Sequence, residues 1–189
     1  MTCHERCTSN CSASFPSRRS VFGMLVFAAT SSAQYAAGRA KAADNGSLED
    51  EGFMRLALEE ARQGDFPFGA VIVRDGQVIA KGRNLGRTTG DPTAHGEMVA
   101  IHNCLKDHGR ASLIGSTLYT SGEPCAMCMG AILWCRIGRL VFAASVQQLA
   151  TKIEQIALSS AEIAAKAPFV PITITGSVLA DEAMQLFAK

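Results

Sequence analysis

The chain is poor in several things that would have narrowed its function early. Its 189 residues hold four histidines and one tryptophan, and their 18 basic and 17 acidic side chains leave no marked charge of either sign. No apolar run approaches the ~20 residues a helix needs to cross a bilayer. A near-neutral balance gives no electrostatic footprint for a polyanion. With 48% hydrophobic residues, 17 Gly and 6 Pro, the composition is neither collagenous nor disordered. No internal repeat or low-complexity stretch follows Asp44, so the body reads as one domain, large enough to bury a core without disulfides.

The first forty residues differ from the rest. Arg18 and Arg19 precede an apolar run from about Val21 to Ala33, and Ala40-Lys41-Ala42 supplies an Ala-x-Ala cleavage pattern. A basic start, a short apolar stretch and small residues describe an export signal. Ser17-Arg18-Arg19 also resembles the twin-arginine signal. Residues 1–43 are therefore expected to be an export signal, with the functional domain over 44–189 and the mature protein exported or periplasmic, free of any membrane segment. The alternative is a start further along and a cytoplasmic protein. Residues 44–189 carry 13 basic and 16 acidic side chains, a slightly acidic body.

Hydropathy patterning places the elements. Phe53, Leu56, Ala57 and Ala61 recur at helical spacing up to Gly64. GAVIVRDGQVIAKGRN gives two β-branched runs around Asp75-Gly76, a hairpin. A helix is expected from about His95 to His108, then a short strand (STLYTS), a helix (CAMCMGAILWCRI) and a buried strand (RLVFAAS). QQLATKIEQIALSSAEIAAKA reads as helical at least in part, PITITGSV as a strand and ADEAMQLFAK as a last helix. Helices alternating with strands after an opening hairpin imply a mixed sheet covered on both faces.

Seven cysteines need sorting. Cys3, Cys7 and Cys11 fall in the presumed signal; Cys104, Cys125, Cys128 and Cys135 remain. In an oxidising compartment four cysteines can make two disulfides, in a pairing the sequence does not fix. Cys125 and Cys128 form a C-x-x-C pair at the mouth of a helix, which alone supports a redox pair, half a zinc site or two core thiols. Upstream, DPTAHGEMVAI sets His95 and Glu97 near a helix start. One imidazole and two thiolates suit zinc and leave a fourth tetrahedral position for water. Residues i and i+3 of one helical turn can reach one ion. A fully structural site would want a fourth ligand, and no further Cys or His lies at matching spacing. Glu97 can instead accept a proton from zinc-activated water and return it to a leaving amine. His102, His108, Cys104 and Cys135 read as surface or packing residues.

His95-Gly96-Glu97 with Pro124-Cys125-Ala126-Met127-Cys128 matches the H-x-E…P-C-x-x-C signature of the zinc-dependent deaminases. From about Met54 to Phe187 the chain resembles the guanine deaminase and tRNA-adenosine deaminase branch of the cytidine deaminase-like superfamily, through PFGAVIV, DPTAH, EPCAMCMGAI and VLADEA. That resemblance implies a three-layer α/β/α sandwich with a five-stranded mixed sheet, one zinc ion with its water or hydroxide per subunit, and a homodimer. Gly96 stands where the branch usually has alanine. Asn84 matches a substrate-binding asparagine, although Asn-Leu-Gly is also good turn chemistry. Trp134 and Phe68 resemble the guanine deaminases. A purine could pack on Trp134, which is equally a core or dimer-interface residue by type, and Phe68 would form an apolar wall. Gly69 and Ala70 would let backbone approach the base. The expected activity is hydrolytic deamination of a small purine-like base or nucleoside, guanine to xanthine leading. A tRNA-adenosine deaminase and an inactive zinc-binding module are the alternatives.

Overall fold

Asp75 and Gly76 both take positive φ, 50° and 72°, the geometry a two-residue hairpin with right-handed strand twist requires. The strands they join, β1 (Gly69–Arg74) and β2 (Gln77–Arg83), pair antiparallel from Gly69–Arg83 to Arg74–Gln77, with a shift in register between Ile72 and Val73. The structure, a computed structural model, describes residues 48–188; the expected export segment lies outside the described residues.

Helix α1 (Leu48–Arg62) leads into the hairpin. A short α2 (Gly86–Thr89) and α3 (Gly96–His108) follow it, then β3 (Thr117–Gly122), α4 (Ala126–Trp134) and β4 (Arg139–Ala144). Two short helices, α5 (Val146–Leu149) and α6 (Ser160–Ala165), precede β5 (Thr173–Thr175) and α7 (Ala180–Gln185). The strands form one sheet in the order β2-β1-β3-β4-β5, with β1 antiparallel to both neighbours and β3, β4 and β5 parallel.

The two-residue period of the strands divides the core between two faces. Ala70, Ile72, Leu118, Leu140 and Phe142 pack with Ala100, Ile101 and Cys104 of α3 and with Met129, Ile132 and Leu133 of α4. The alternate residues Val71, Val73, Tyr119, Val141 and Ala143 pack with Met54, Ala57 and Leu58 of α1 and Ala183 of α7. The result is the expected α/β/α sandwich. Buried Asp50 fastens α1 to the sheet. It accepts from the Tyr119 hydroxyl at 2.8 Å and takes the Arg139 guanidinium bidentately at 2.7 and 2.8 Å.

Two glycines set how closely helices sit on the hairpin. A Cβ at Gly82 would run into the backbone of Ala100 and Gly96 in α3. One at Gly69 would run into Ala57 and Ala61 of α1, so what Gly69 lets approach is α1. Gly82→Ala must push α3 outward and should cost about 1–3 kcal/mol, measurable as a lowered midpoint in denaturant.

One expected helix is broken. Between α5 and α6, residues 150–159 are irregular. Ser145 and Ser159 each form a capping box, with Gln148 and Glu162 respectively, so the second serine starts a new helix instead of continuing the first. β5 is likewise confined to three residues of PITITGSV.

Candidate metal centre and active site

The C-terminal end of β3 and the loop leaving β2 deliver two helix starts to one place. His95 is the N-cap of α3 and Cys125 the N-cap of α4; neither side chain caps its own helix. They turn toward each other. His95 Nδ1 lies 3.6 Å from Cys125 Sγ and 3.6 Å from Cys128 Sγ, and the three atoms all fall within 4.8 Å of one another. Donors bonded to one tetrahedral zinc at about 2.0 Å (N) and 2.3 Å (S) stand about 3.5 Å apart. The trio therefore fits zinc in both donor chemistry and spacing. Among the described residues it is the group of His, Cys, Asp and Glu side chains arranged to hold a metal. The positive ends of two helix dipoles favour thiolates there.

Glu97, in the first turn of α3, is 3% exposed. Burial raises its pKa above the ordinary carboxylate value. The Cys125 thiol is held down to about 4, first by its hydrogen bond with Cys128 and next by His95. Cys128 moves the other way, raised by that same hydrogen bond and by burial, and His95 is raised by its hydrogen bond with Cys125. The hydrogen-bonded thiol pair thus keeps one shared proton at pH 7 in the absence of metal. Zinc must expel that proton to gain the second thiolate. Zinc uptake at pH 7 should release at least one proton, and affinity should fall about tenfold per pH unit for each proton displaced. Titration calorimetry in buffers of differing ionisation enthalpy checks this; uptake without proton release would contradict it.

A cavity of about 230 Å³ opens beside the trio, lined by His95, Glu97 and Cys125 with Phe66, Phe68 and Asn84. Asn84 is 4% exposed, and its Oδ1 accepts from Gly86 N at 3.1 Å. It closes a turn and lines the cavity at once, so the two readings of this residue coexist. Phe68 packs edge-on against Phe187 with ring centroids 5.3 Å apart, which lets the C-terminal segment brace the cavity wall.

Other expected contacts lie elsewhere. Gly69 and Ala70 are buried in β1 and do not line the cavity. Gly69 N donates to Ser121 Oγ at 3.1 Å. Trp134, at the end of α4, is 74% exposed, packs on Phe169 with centroids 5.2 Å apart, and does not line the cavity of its own chain. Its side chain leaves the far end of the helix whose first turn carries the cysteines. Gly96 has a packing reason: a Cβ there would come within 2.8 Å of the Phe68 carbonyl oxygen. Cys104 is buried, Cys135 half-buried, and both are free thiols.

The cavity also takes residues the motif does not announce. Glu123, Ile153, Glu154 and Gln155 complete its lining. Glu123 stands directly before Pro124-Cys125, where a signal was available. The other three belong to the irregular segment after α5.

The fold and this site define a zinc-binding deaminase domain. The chain belongs to the family described as the cytidine and deoxycytidylate deaminase zinc-binding region, which matches residues 47–144. Over 101 residues, 51% of this chain, it is 50% identical to the tRNA-specific adenosine deaminase of Haemophilus influenzae. Over 102 residues it is 45% identical to the guanine deaminase of Bacillus subtilis. These matches span 58% and 65% of those relatives' lengths. A solved structure from studies of A-to-I editing by tRNA:A34 deaminases superposes with a TM-score of 0.62 at 33% identity, covering 71% of this chain and 98% of that one.

Proposed function

We propose that the protein is a hydrolytic deaminase of a free purine base, with guanine its leading substrate. The observation that carries this reading is the cavity beside His95, Cys125 and Cys128. At about 230 Å³ it is smaller than the ~300–1,000 Å³ pockets of drug-sized ligands. Two phenylalanines supply its apolar walls, Asn84 an amide, and Glu154 a carboxylate. An aromatic bicycle fits such walls, the amide offers a donor and an acceptor to a base edge, and the carboxylate accepts from N–H groups such as those at N1 and C2 of guanine.

Zinc, when bound, supplies the Lewis acidity that brings a water's pKa down to about 7. His95, Cys125 and Cys128 would hold it. Glu97 takes a proton from the attacking water and passes protons to the adjacent ring nitrogen and the departing amine. The C2–N bond breaks, oxygen takes its place, and guanine plus water become xanthine plus ammonia. Burial of Glu97 favours its protonated form and so its second task, donation to the leaving group.

The alternative reading is a tRNA-adenosine deaminase, favoured by the 50% identity to a relative of that name. Against it, no lysine or arginine lines the cavity, while Glu97, Glu123 and Glu154 do; Arg87 stacks on the Phe66 ring outside that lining. An RNA backbone needs cations where it is held. Export of the chain, as the first 43 residues suggest, would also separate it from tRNA. We assign the exposed Trp134–Phe169 pair to contact with a second copy of the chain, in keeping with a homodimer. Ammonia release by the zinc-loaded chain should occur with guanine and be absent with an adenosine-containing anticodon stem-loop; the reverse pattern would establish the tRNA reading.

A further inference from the structure

Beyond the metal trio and Glu97, the cavity is closed by a piece of chain with little regular structure. Ile153, Glu154 and Gln155 are consecutive and all line it. They sit within the irregular residues 150–159 between α5 and α6. Such a segment loses conformational entropy on ordering and holds one position only where its ends are fixed.

Glu123 fixes both ends. This residue is 5% exposed, and its backbone N–H donates to the Ala144 carbonyl at 2.7 Å. One carboxylate oxygen accepts from Val146 N at 2.9 Å, at the start of α5. The other accepts from Ser160 N at 2.7 Å, at the start of α6. A single buried carboxylate thus joins the points where the segment leaves and rejoins the body of the fold. Charge-assisted bonds of this kind are shorter and stronger than neutral ones.

The segment also carries a group with nothing to do in the free protein. Gln155 Nε2 is buried and has no hydrogen-bond partner, although native structures leave few buried donors in that state. The same side chain lines the cavity, and its soft terminal torsion lets the amide turn toward an acceptor atom of a bound base.

We propose that Glu123 is a positioning residue and Gln155 a substrate-reading residue: by clamping both ends of segment 147–159, Glu123 sets the Gln155 amide nitrogen against an acceptor of the base. The proposal rests on the deaminase reading above. Its chemistry is recognition only, since Glu123 acts through the segment and takes no proton.

The test uses the full, zinc-loaded chain and the variants Glu123→Gln, Gln155→Leu and the double variant. Gln155→Leu should raise KM for guanine about tenfold, the loss of one hydrogen bond that leaves the base's acceptor unpaired, with kcat within about twofold. Glu123→Gln places an amide NH2 against one of the two backbone N–H groups. It should raise KM similarly, keep its zinc, and speed hydrogen exchange at the amide of Val146, Ser160 or both. The double variant should be little worse than Gln155→Leu alone, because both residues act through one contact. An unchanged KM in Gln155→Leu, unchanged exchange in Glu123→Gln, or zinc lost from Glu123→Gln would each overturn the proposal. Should the unmodified chain ignore guanine but deaminate another amine, the substrate reading falls alone, and the same KM ratios are read on that amine. The exchange measurement needs no substrate and decides the clamp in every case.

Discussion

Replacing Glu97 with glutamine should lower turnover by about 10²–10⁴-fold, the usual worth of a positioned general acid–base, and leave zinc bound. Glutamine keeps the shape of the side chain and removes its ability to carry a proton between water and the leaving amine. None of the donor atoms is touched, because zinc falls to His95, Cys125 and Cys128. The same substitution should stabilise the zinc-free fold. Burial raises the folded-state pKa of Glu97 above its unfolded value, so the native state prefers the neutral acid. Its carboxylate therefore costs stability at any pH above the unfolded value, and neutral glutamine removes that cost at pH 7. The melting temperature of the zinc-free variant should exceed that of the parent, at about 2–4 °C per kcal/mol regained. A Glu97→Gln protein with full activity would end the assignment of this residue; one that loses zinc would show that the carboxylate serves the metal.

The second large effect belongs to Cys128. Changing it to serine removes one of three ligands from a buried position, and the zinc-dependent part of the stability should go with it. A metal that binds only the native state stabilises by an amount set by its concentration over its dissociation constant, about 4 kcal/mol at a thousandfold excess. For a chain of this size that corresponds to roughly 8–16 °C. The parent protein should therefore melt well above its zinc-free form, and Cys128→Ser should melt at one temperature with or without added zinc. An undiminished zinc-induced shift in the variant would contradict the ligand set. Cys104→Ser changes a buried thiol remote from the trio and should keep the shift.

What could be read in advance follows how local each signal is. Asp75-Gly76 dictates a hairpin by its own backbone needs, and the structure shows both residues at positive φ. His95, Glu97, Cys125 and Cys128 sit at helix starts marked by proline and by apolar periodicity, and it was the H-x-E…P-C-x-x-C signature that tied the two starts to one metal. GAVIV is apolar throughout, so its division into Ile72 on one face and Val71 on the other appears only in the structure. The cavity's fourth side was not legible in the sequence either. Ile153, Glu154 and Gln155 lie in a run whose composition suits a helix; in the structure Ser159 caps a new helix after it, and Glu123, 23 and 37 residues away in sequence, holds the backbone at either side. Gly69 matched a family pattern, but its reason is contact with α1, a packing fact no local window contains. Trp134 was read as a purine contact from its resemblance to the guanine deaminases, and the structure places it at the exposed far end of α4, against Phe169.

The central claim is that the His95, Cys125 and Cys128 site, with Glu97 beside it, removes the amine from a purine base. The most direct test incubates the full zinc-loaded chain with guanine and follows xanthine and ammonia together. Xanthine and ammonia in equal amounts, absent from Glu97→Gln and from zinc-stripped protein, is the predicted result. Stoichiometric zinc with neither product formed would contradict the claim.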